Sequence, residues 1–141
     1  MRIAIINGPN LNLLGVREPN VYGNTTFETY LTNIQAQFPN VHLVYYQSNI
    51  EGEIINMIQT EGFEAQGIIL NAGGYTHTSV AIADAVAAIP APVIEVHISN
   101  VYAREEYRHK SFIAAQAAGT ISGLGLDGYT LALVHLMSKG I

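Results

Sequence analysis

Cysteine is absent from the 141 residues, and charged side chains make up only 12% of them. Without cysteine the chain can form no disulfide, no thiolate metal site and no cysteine nucleophile. Lysine occurs only at Lys110 and Lys139 and the net charge is −5, so there is no basic stripe for nucleic acid or an anionic membrane. No apolar run has the length of a membrane span or a signal peptide. We expect one soluble domain, 1–141, in the cytoplasm.

The shortage of charge also bears on assembly. Charged residues usually form about a quarter of a soluble domain, and here hydrophobic residues reach 49%. One interpretation is that oligomer interfaces cover part of the surface. The alternative is a monomer of low solubility.

Apolar runs alternate with helical patterns along the chain, which is typical of parallel β-α units. The predicted strands are 2–6, 41–46, 67–70, 93–98 and 120–121. The predicted helices are 25–38, 51–61, 77–88 and 129–138, with a short helical turn at 103–108. A capping box is assigned to Thr25–Glu28, and Gly62 is assigned as the end of the second helix. The order predicts a flavodoxin-like α/β fold, a doubly wound five-stranded parallel sheet in a three-layer α/β/α arrangement.

Polar residues follow four of the predicted strands. They are the segments 7–10, 47–49, 71–74 and 97–100. In doubly wound folds ligands bind beyond the carboxyl ends of the strands, where the strand order reverses. We therefore expect these polar groups to converge at one edge of the sheet.

The segment 7–23, NGPNLNLLGVREPNVYG, is long for a connection in a compact domain. Asparagines around Gly8-Pro9 shape its backbone, and its leucines are expected to anchor it. Arg17 and Tyr22 lie five residues apart, and a mobile loop can bring such a pair to a site. The alternative is a surface turn with an ordinary arginine and tyrosine.

Glu95 and His97 alternate with apolar residues, so a strand would place both on one face. A carboxylate beside an imidazole orients the ring and favours its protonated form, which suits a general acid. The alternative is a structural ion pair. Arg104 and Arg108 lie four apart and would share a face of a helical turn, suited to a carboxylate ligand. Their alternative is pairing with the neighbouring Glu105 and Glu106.

The segment 71–79, NAGGYTHTS, combines two glycines that permit close backbone approach with hydroxyls that can cap a helix. His77 either contacts a ligand hydroxyl there or caps the helix. Asp84 is the only charge on the helix that follows, which indicates either a solvent stripe or a contact across an interface.

Several chemistries find no motif in the sequence. Phosphate-binding glycine loops, a nucleophile elbow and metal-ligand spacing are all absent. A base, an acid and polar binding groups remain, with no cofactor and no metal, which fits proton abstraction next to a carbonyl followed by elimination or isomerisation. Tyr22 ordinarily has a pKa near 10, and a guanidinium such as Arg17 would favour its tyrosinate form.

Five stretches together resemble type II 3-dehydroquinase. They are NGPNLNLLGVREPNVYG at 7–23, QSNIEGEII at 47–55, NAGGYTHTSVAIADA at 71–85, EVHISNVYAREEYRHKS at 95–111 and GLGLDGYTLAL at 123–133. The resemblance implies a flavodoxin-like fold and a homo-oligomer, a dodecamer of four trimers. It also implies the reversible, cofactor-free dehydration of 3-dehydroquinate by anti elimination through an enolate.

The resemblance further implies roles for single residues. Tyr22 would be the base, held as tyrosinate by Arg17, and Asn10 would steady the enolate. His97 would be the acid, oriented by Glu95. The implied substrate-binding residues are Asn71, His77, Asp84 (reaching a neighbouring subunit), the backbone of Ile98, Ser99 and Arg108. Arg104 matches a family position without a settled role.

The sequence departs from the family pattern at Ile50 and Tyr102, where histidine is common, and neither position carries an implied role. Two other classes of protein are alternatives. A non-catalytic module that binds a hydroxy-acid would not need Tyr22, Arg17 and His97 together. An electron-transfer flavodoxin would need a hydroxyl-rich phosphate loop after the first strand, which the sequence lacks.

Overall fold

A computed structural model of the chain describes residues 1–16 and 25–139. Its strands are β1 (Arg2–Asn7), β2 (His42–Gln47), β3 (Gly67–Asn71), β4 (Val93–His97) and β5 (Gly119–Ser122). They form a parallel sheet in the order β2-β1-β3-β4-β5. This is the flavodoxin-like order, whose switch point lies between β1 and β3. The predicted fold is confirmed.

Helices cover both faces of the sheet. They are α1 (Phe27–Gln37), α2 (Glu51–Glu64), α3 (Val80–Ala87) and α4 (Asp127–Met137). Alternate residues of β1 point to opposite faces: Ile3 and Ile5 pack with α1 and α4, whereas Ala4 and Ile6 pack with α2 and α3. Burial on both faces explains why the strands are continuous apolar runs.

The N-cap of α1 was predicted one residue too early. Thr26, not Thr25, is the N-cap, and its side chain accepts a hydrogen bond from the backbone N–H of Thr29 at 3.2 Å. Phe27 is the first helical residue and is buried in the core. The capping box assigned to Thr25–Glu28 was therefore wrong, because the position of the buried aromatic ring sets the helix start.

Gly62 does not end α2, which continues to Glu64. A Cβ atom at Gly62 would lie 2.4 Å from the side chain of Ile89, so the glycine provides room for close packing beyond α3. The residue that was assigned as a helix stop is a packing contact inside the helix.

The segment after β4 is not the single helical turn predicted at 103–108. It contains two 3₁₀ turns, Val101–Ala103 and Glu106–Arg108, and Arg104 between them is extended. Arg104 and Arg108 therefore do not share a helical face, and the reason given for their proximity was wrong.

A buried polar network joins the ends of the two strands at the switch point. The hydroxyl of Tyr129 on α4 donates to Asn7 Oδ1 at 2.8 Å and accepts from Asn71 Nδ2 at 2.9 Å. All three side chains are nearly inaccessible to solvent. Burial raises the pKa of Tyr129, so its hydroxyl stays protonated and can serve both partners.

Replacing Tyr129 by phenylalanine should destabilise the fold by about 1–3 kcal/mol, because two buried amide groups lose their partner. The free energy of unfolding in urea measures this loss. Tyr102→Phe is the matched control, since the Tyr102 side chain is exposed, and it should change stability by no more than about 0.5 kcal/mol. Equal stability of Tyr129→Phe and wild type would contradict the role given to the network.

Candidate active site

An open cavity of about 120 Å³ lies beyond the carboxyl ends of β1, β3 and β4. Seven of the residues predicted for the site line it: Asn10, Asn71, His77, His97, Ile98, Ser99 and Arg108. Arg104 lines it as well. Among the described residues, Asp84 is exposed on α3 and does not line this cavity. Arg17 and Tyr22 lie outside the described residues.

The loop after β1 holds Asn10 in a left-handed conformation, with φ of 70°. Asparagine tolerates this region better than most residues. The Asn10 backbone N–H donates to Asn49 Oδ1 at 3.0 Å, and Gln47 Nε2 donates to the same oxygen at 3.1 Å. Leu11 and Leu14 are buried and anchor the loop, whereas Leu13 is largely exposed. The polar segment after β2 thus supports the cavity wall without lining the cavity.

Glu95 and His97 lie on the same face of β4. Glu95 Oε2 lies 2.5 Å from His97 Nε2, and both side chains are buried. The second carboxylate oxygen, Oε1, accepts a hydrogen bond from the Ser111 hydroxyl at 2.7 Å. The imidazole is therefore held by one nitrogen, which leaves Nδ1 for chemistry.

His77 sits across from His97, with the ring centroids 6.2 Å apart and the ring planes inclined by 21°. Its Nδ1–H donates to the carbonyl oxygen of Lys110 at 2.8 Å. Burial lowers the pKa of His77, so the ring is neutral near pH 7. The neutral tautomer with a proton on Nδ1 leaves Nε2 as a hydrogen-bond acceptor. Ser79, rather than His77, caps α3, because its side chain accepts from the N–H of Ile82 at 2.9 Å.

One carboxylate faces both arginines of the cavity. Glu105 Oε2 accepts from Arg108 Nε at 2.9 Å, and Glu105 Oε1 lies 4.0 Å from Arg104 Nε. Arg104 Nη1 also donates to the Ser99 hydroxyl at 3.3 Å. Hydrogen bonds from the Tyr107 hydroxyl and from Arg108 lower the pKa of Glu105 to about 2. The two arginines therefore pair with Glu105 and also line the cavity. From the sequence alone these two roles were alternatives.

Asn71 supplies an amide at the floor of the cavity. Its Oδ1 accepts from the backbone N–H of Gly73 at 3.1 Å, and one Nδ2 hydrogen goes to Tyr129. The amide group carries a second hydrogen, which is the donor available to a ligand. Gly73 and Gly74 line the cavity beside it.

Three supporting groups were missed in the sequence: the Lys110 carbonyl, the Ser111 hydroxyl and the Tyr129 hydroxyl. Each lies far along the chain from the residue it contacts. All three residues fall inside the stretches shared with the family, which is a signal that could have found them.

Residues 1–16 and 25–139 contain neither a metal-binding cluster nor a membrane-spanning helix. No group of three or more His, Asp or Glu side chains is arranged to hold a metal ion. No helix within these ranges is long and apolar enough to cross a membrane.

The fold and the polar edge of the sheet define a flavodoxin-like α/β protein. Its cavity combines an imidazole, which a buried carboxylate holds, with arginines and amide donors. A sequence profile of the family described as dehydroquinase class II matches residues 1–137, and the chain belongs to this family. It is thereby an enzyme of the hydro-lyase class, and a non-catalytic module has no support.

Named relatives agree with this assignment. The chain is 54% identical over 138 residues to a 3-dehydroquinate dehydratase of an Exiguobacterium species, covering 97% of this chain and 94% of the relative. It is 52% identical over 140 residues to that of Helicobacter hepaticus, covering 97% and 89%. The type II dehydroquinase structure from Butyrivibrio crossotus matches with a TM-score of 0.91 and 48% identity, covering 97% of each chain.

Acidification should destabilise the fold through His77. Because burial lowers its pKa in the folded chain, the unfolded chain binds this proton more readily, near the ordinary histidine pKa of about 6.5. The free energy of unfolding in urea should therefore fall as the pH drops from about 7.5 to about 5. His77→Asn keeps an amide donor for Lys110 and should reduce this slope, and the exposed His135→Asn is the control. Identical slopes in wild type and His77→Asn would contradict the lowered pKa of His77 in the folded chain.

Proposed function

We propose that this chain carries out the reaction of its named relatives, the reversible dehydration of 3-dehydroquinate to 3-dehydroshikimate. The observation that carries the proposal is His97, held by the buried Glu95, at the wall of a cavity that also presents Arg104 and Arg108. Eliminating water next to a ketone requires a base for the carbon-bound proton and an acid for the leaving hydroxyl. The substrate's carboxylate and hydroxyls also need polar partners.

His97 is the proposed acid. Its Nε2 is held by Glu95, so the proton for the leaving hydroxyl comes from Nδ1. As the enolate collapses, the carbon–oxygen bond breaks and the departing hydroxyl takes this proton to form water. The Glu95 carboxylate stabilises the imidazolium before the transfer and keeps the ring in place.

Tyr22 is the proposed base, as the resemblance to the family implies. Its phenolate takes the proton next to the ketone, and Arg17 favours this phenolate. Asn10 steadies the negative charge of the enolate. After the elimination Tyr22 carries a proton and His97 lacks one, so a proton transfer through solvent restores the starting state.

The remaining polar groups are assigned to substrate binding. His77 offers Nε2 as an acceptor and Asn71 offers one amide hydrogen, both suited to substrate hydroxyls. Arg108 lines the cavity while its Nε donates to Glu105 and its Nη2 to the Tyr107 hydroxyl, and its remaining N–H groups are assigned to the substrate. The Ile98 backbone and the Ser99 hydroxyl take the substrate carboxylate, and Arg104 beside Ser99 adds positive charge.

We also propose that the chain works as a dodecamer of four trimers, in the cytoplasm. The low charge content and the exposure of Asp84 on the apolar helix α3 are consistent with a subunit interface. Asp84 would then reach the site of a neighbouring subunit. The reaction serves either aromatic biosynthesis through the shikimate pathway or the breakdown of quinate.

The first test is an assay without cofactor. Purified protein is mixed with 3-dehydroquinate and a chelator, with borohydride in a parallel sample, and the ultraviolet absorbance of the conjugated product is followed. We expect turnover in both samples. Tyr22→Phe should bind substrate but lose at least about a hundredfold in kcat, because it has no ionisable hydroxyl. Tyr102→Phe is the matched control, with an exposed ring that does not line this cavity.

Each part of the assay can fail separately. Substrate binding without turnover by the wild type would overturn the proposed reaction. Inactivation by borohydride together with substrate would point to an imine, and inactivation by the chelator would point to a metal. Near-normal turnover by Tyr22→Phe would remove Tyr22 as the base while leaving the reaction in place.

Asp84→Ala should raise KM several-fold or shift the assembly to smaller species, because the site of one subunit would lose a carboxylate from the next. Sedimentation gives the mass, and steady-state kinetics give KM. Asp127→Ala, which also removes an aspartate from a helix, is the matched control. Unchanged KM together with unchanged mass would leave Asp84 as a surface charge.

A further inference from the structure

A second cavity shares His77, His97 and Arg108 with the first. Glu95, His97, Ser111 and Thr120 contribute to its wall. Ser111 is the member that contacts the carboxylate, and the proposed function gave it no role. From this geometry we infer that Ser111 is a positioning residue for the acid His97 and acts through Glu95. The inference rests on the proposed function.

The direction of the Ser111 hydroxyl bond follows from its other partners. Ser111 Oγ accepts from the backbone N–H of Ile113 at 3.1 Å and of Ala114 at 3.0 Å. These two donors occupy the lone pairs of the hydroxyl oxygen. Its hydrogen is then directed to Glu95 Oε1, 2.7 Å away. Ser111 donates and the carboxylate accepts.

This bond completes the hydrogen bonding of a buried carboxylate. Glu95 is only 2% exposed, and among residues 1–16 and 25–139 its two oxygens have one partner each, Ser111 and His97. With Oε1 held, the carboxylate cannot rotate and Oε2 stays at His97 Nε2. Without the serine, the carboxylate would be free to turn and would lose a donor that stabilises its negative charge. A carboxylate that is free to turn no longer fixes the His97 ring, which slows the proton transfer from Nδ1.

The backbone around Ser111 is fixed by the loop that carries His77. The N–H of Phe112 donates to the Thr76 carbonyl at 3.0 Å, and the Lys110 carbonyl accepts from His77 Nδ1 at 2.8 Å. Segment 110–112 therefore orients both imidazoles, His77 through a backbone carbonyl and His97 through Ser111 and Glu95. The position of Ser111 therefore depends on the contacts of Phe112 with Thr76 and of Lys110 with His77.

The test compares kcat with KM in a series at position 111. Ser111→Ala should lower kcat by roughly tenfold to a hundredfold, as expected for a lost bond to a buried charge, and leave KM within about twofold. Ser111→Thr keeps the hydroxyl and should recover most of kcat. Ser111→Cys keeps the size but donates weakly, so its kcat should fall between them. Thr120→Val is the matched control, because Thr120 pairs with Glu95 in the sheet and lines the same cavity.

The outcomes separate the inference from the function on which it rests. No turnover by the wild type would overturn the proposed function. Wild-type turnover with an unchanged kcat in Ser111→Ala would overturn the role of Ser111, as would an equal loss in Thr120→Val. A loss confined to KM would overturn it too. If Ser111→Ala does not fold, judged by urea unfolding, the comparison of Ser111→Cys with Ser111→Thr decides.

Discussion

The hydroxyl of Tyr129 bridges Asn7 and Asn71, and the site depends on this buried contact. At the switch point the chain leaves β1 and β3 toward opposite faces of the sheet, which opens a crevice between the two loops. The side chains at the ends of both strands are nevertheless buried, so their amide groups need partners within the protein. Tyr129 supplies one from α4 and so couples a distant helix to the floor of the cavity. The Gly8 N–H bond to the Asn71 carbonyl, at 2.7 Å, holds the two loops at the same level.

The fold was predictable because both signals in the sequence are local. Strands buried on two faces must be apolar throughout, and the helices between them repeat with a different period. The errors occurred where tertiary packing overrides a local rule. Gly62 is a typical helix stop, yet α2 continues because the glycine makes room for Ile89. The start of α1 follows the buried ring of Phe27 rather than the capping box.

Some positions in the site could be predicted from the sequence and others could not. Alternation along one strand placed Glu95 and His97 on one face, since that relation spans only two residues. Arg104 and Arg108 reach the same cavity by a route that no periodicity describes, two 3₁₀ turns joined by an extended residue. The groups that hold His77 and Glu95 could not be predicted, because Lys110 and Ser111 lie on a segment whose place depends on backbone contacts across the fold. The resemblance to the family gave a role to Glu95 but none to Lys110, Ser111 or Tyr129.

The two carboxylates of the site differ in how salt reaches them. Glu95 is buried, so dissolved ions screen its contact with His97 little, whereas the Glu105 side chain is 48% exposed. Screening acts over about 8–10 Å at moderate ionic strength and weakens exposed pairs first. Added salt therefore weakens the contact of Glu105 with Arg108, which orients the guanidinium, while the Glu95–His97 pair keeps its geometry. Ionic strength therefore changes how strongly the site binds an anionic molecule, and it leaves the proton-transfer chemistry largely unchanged.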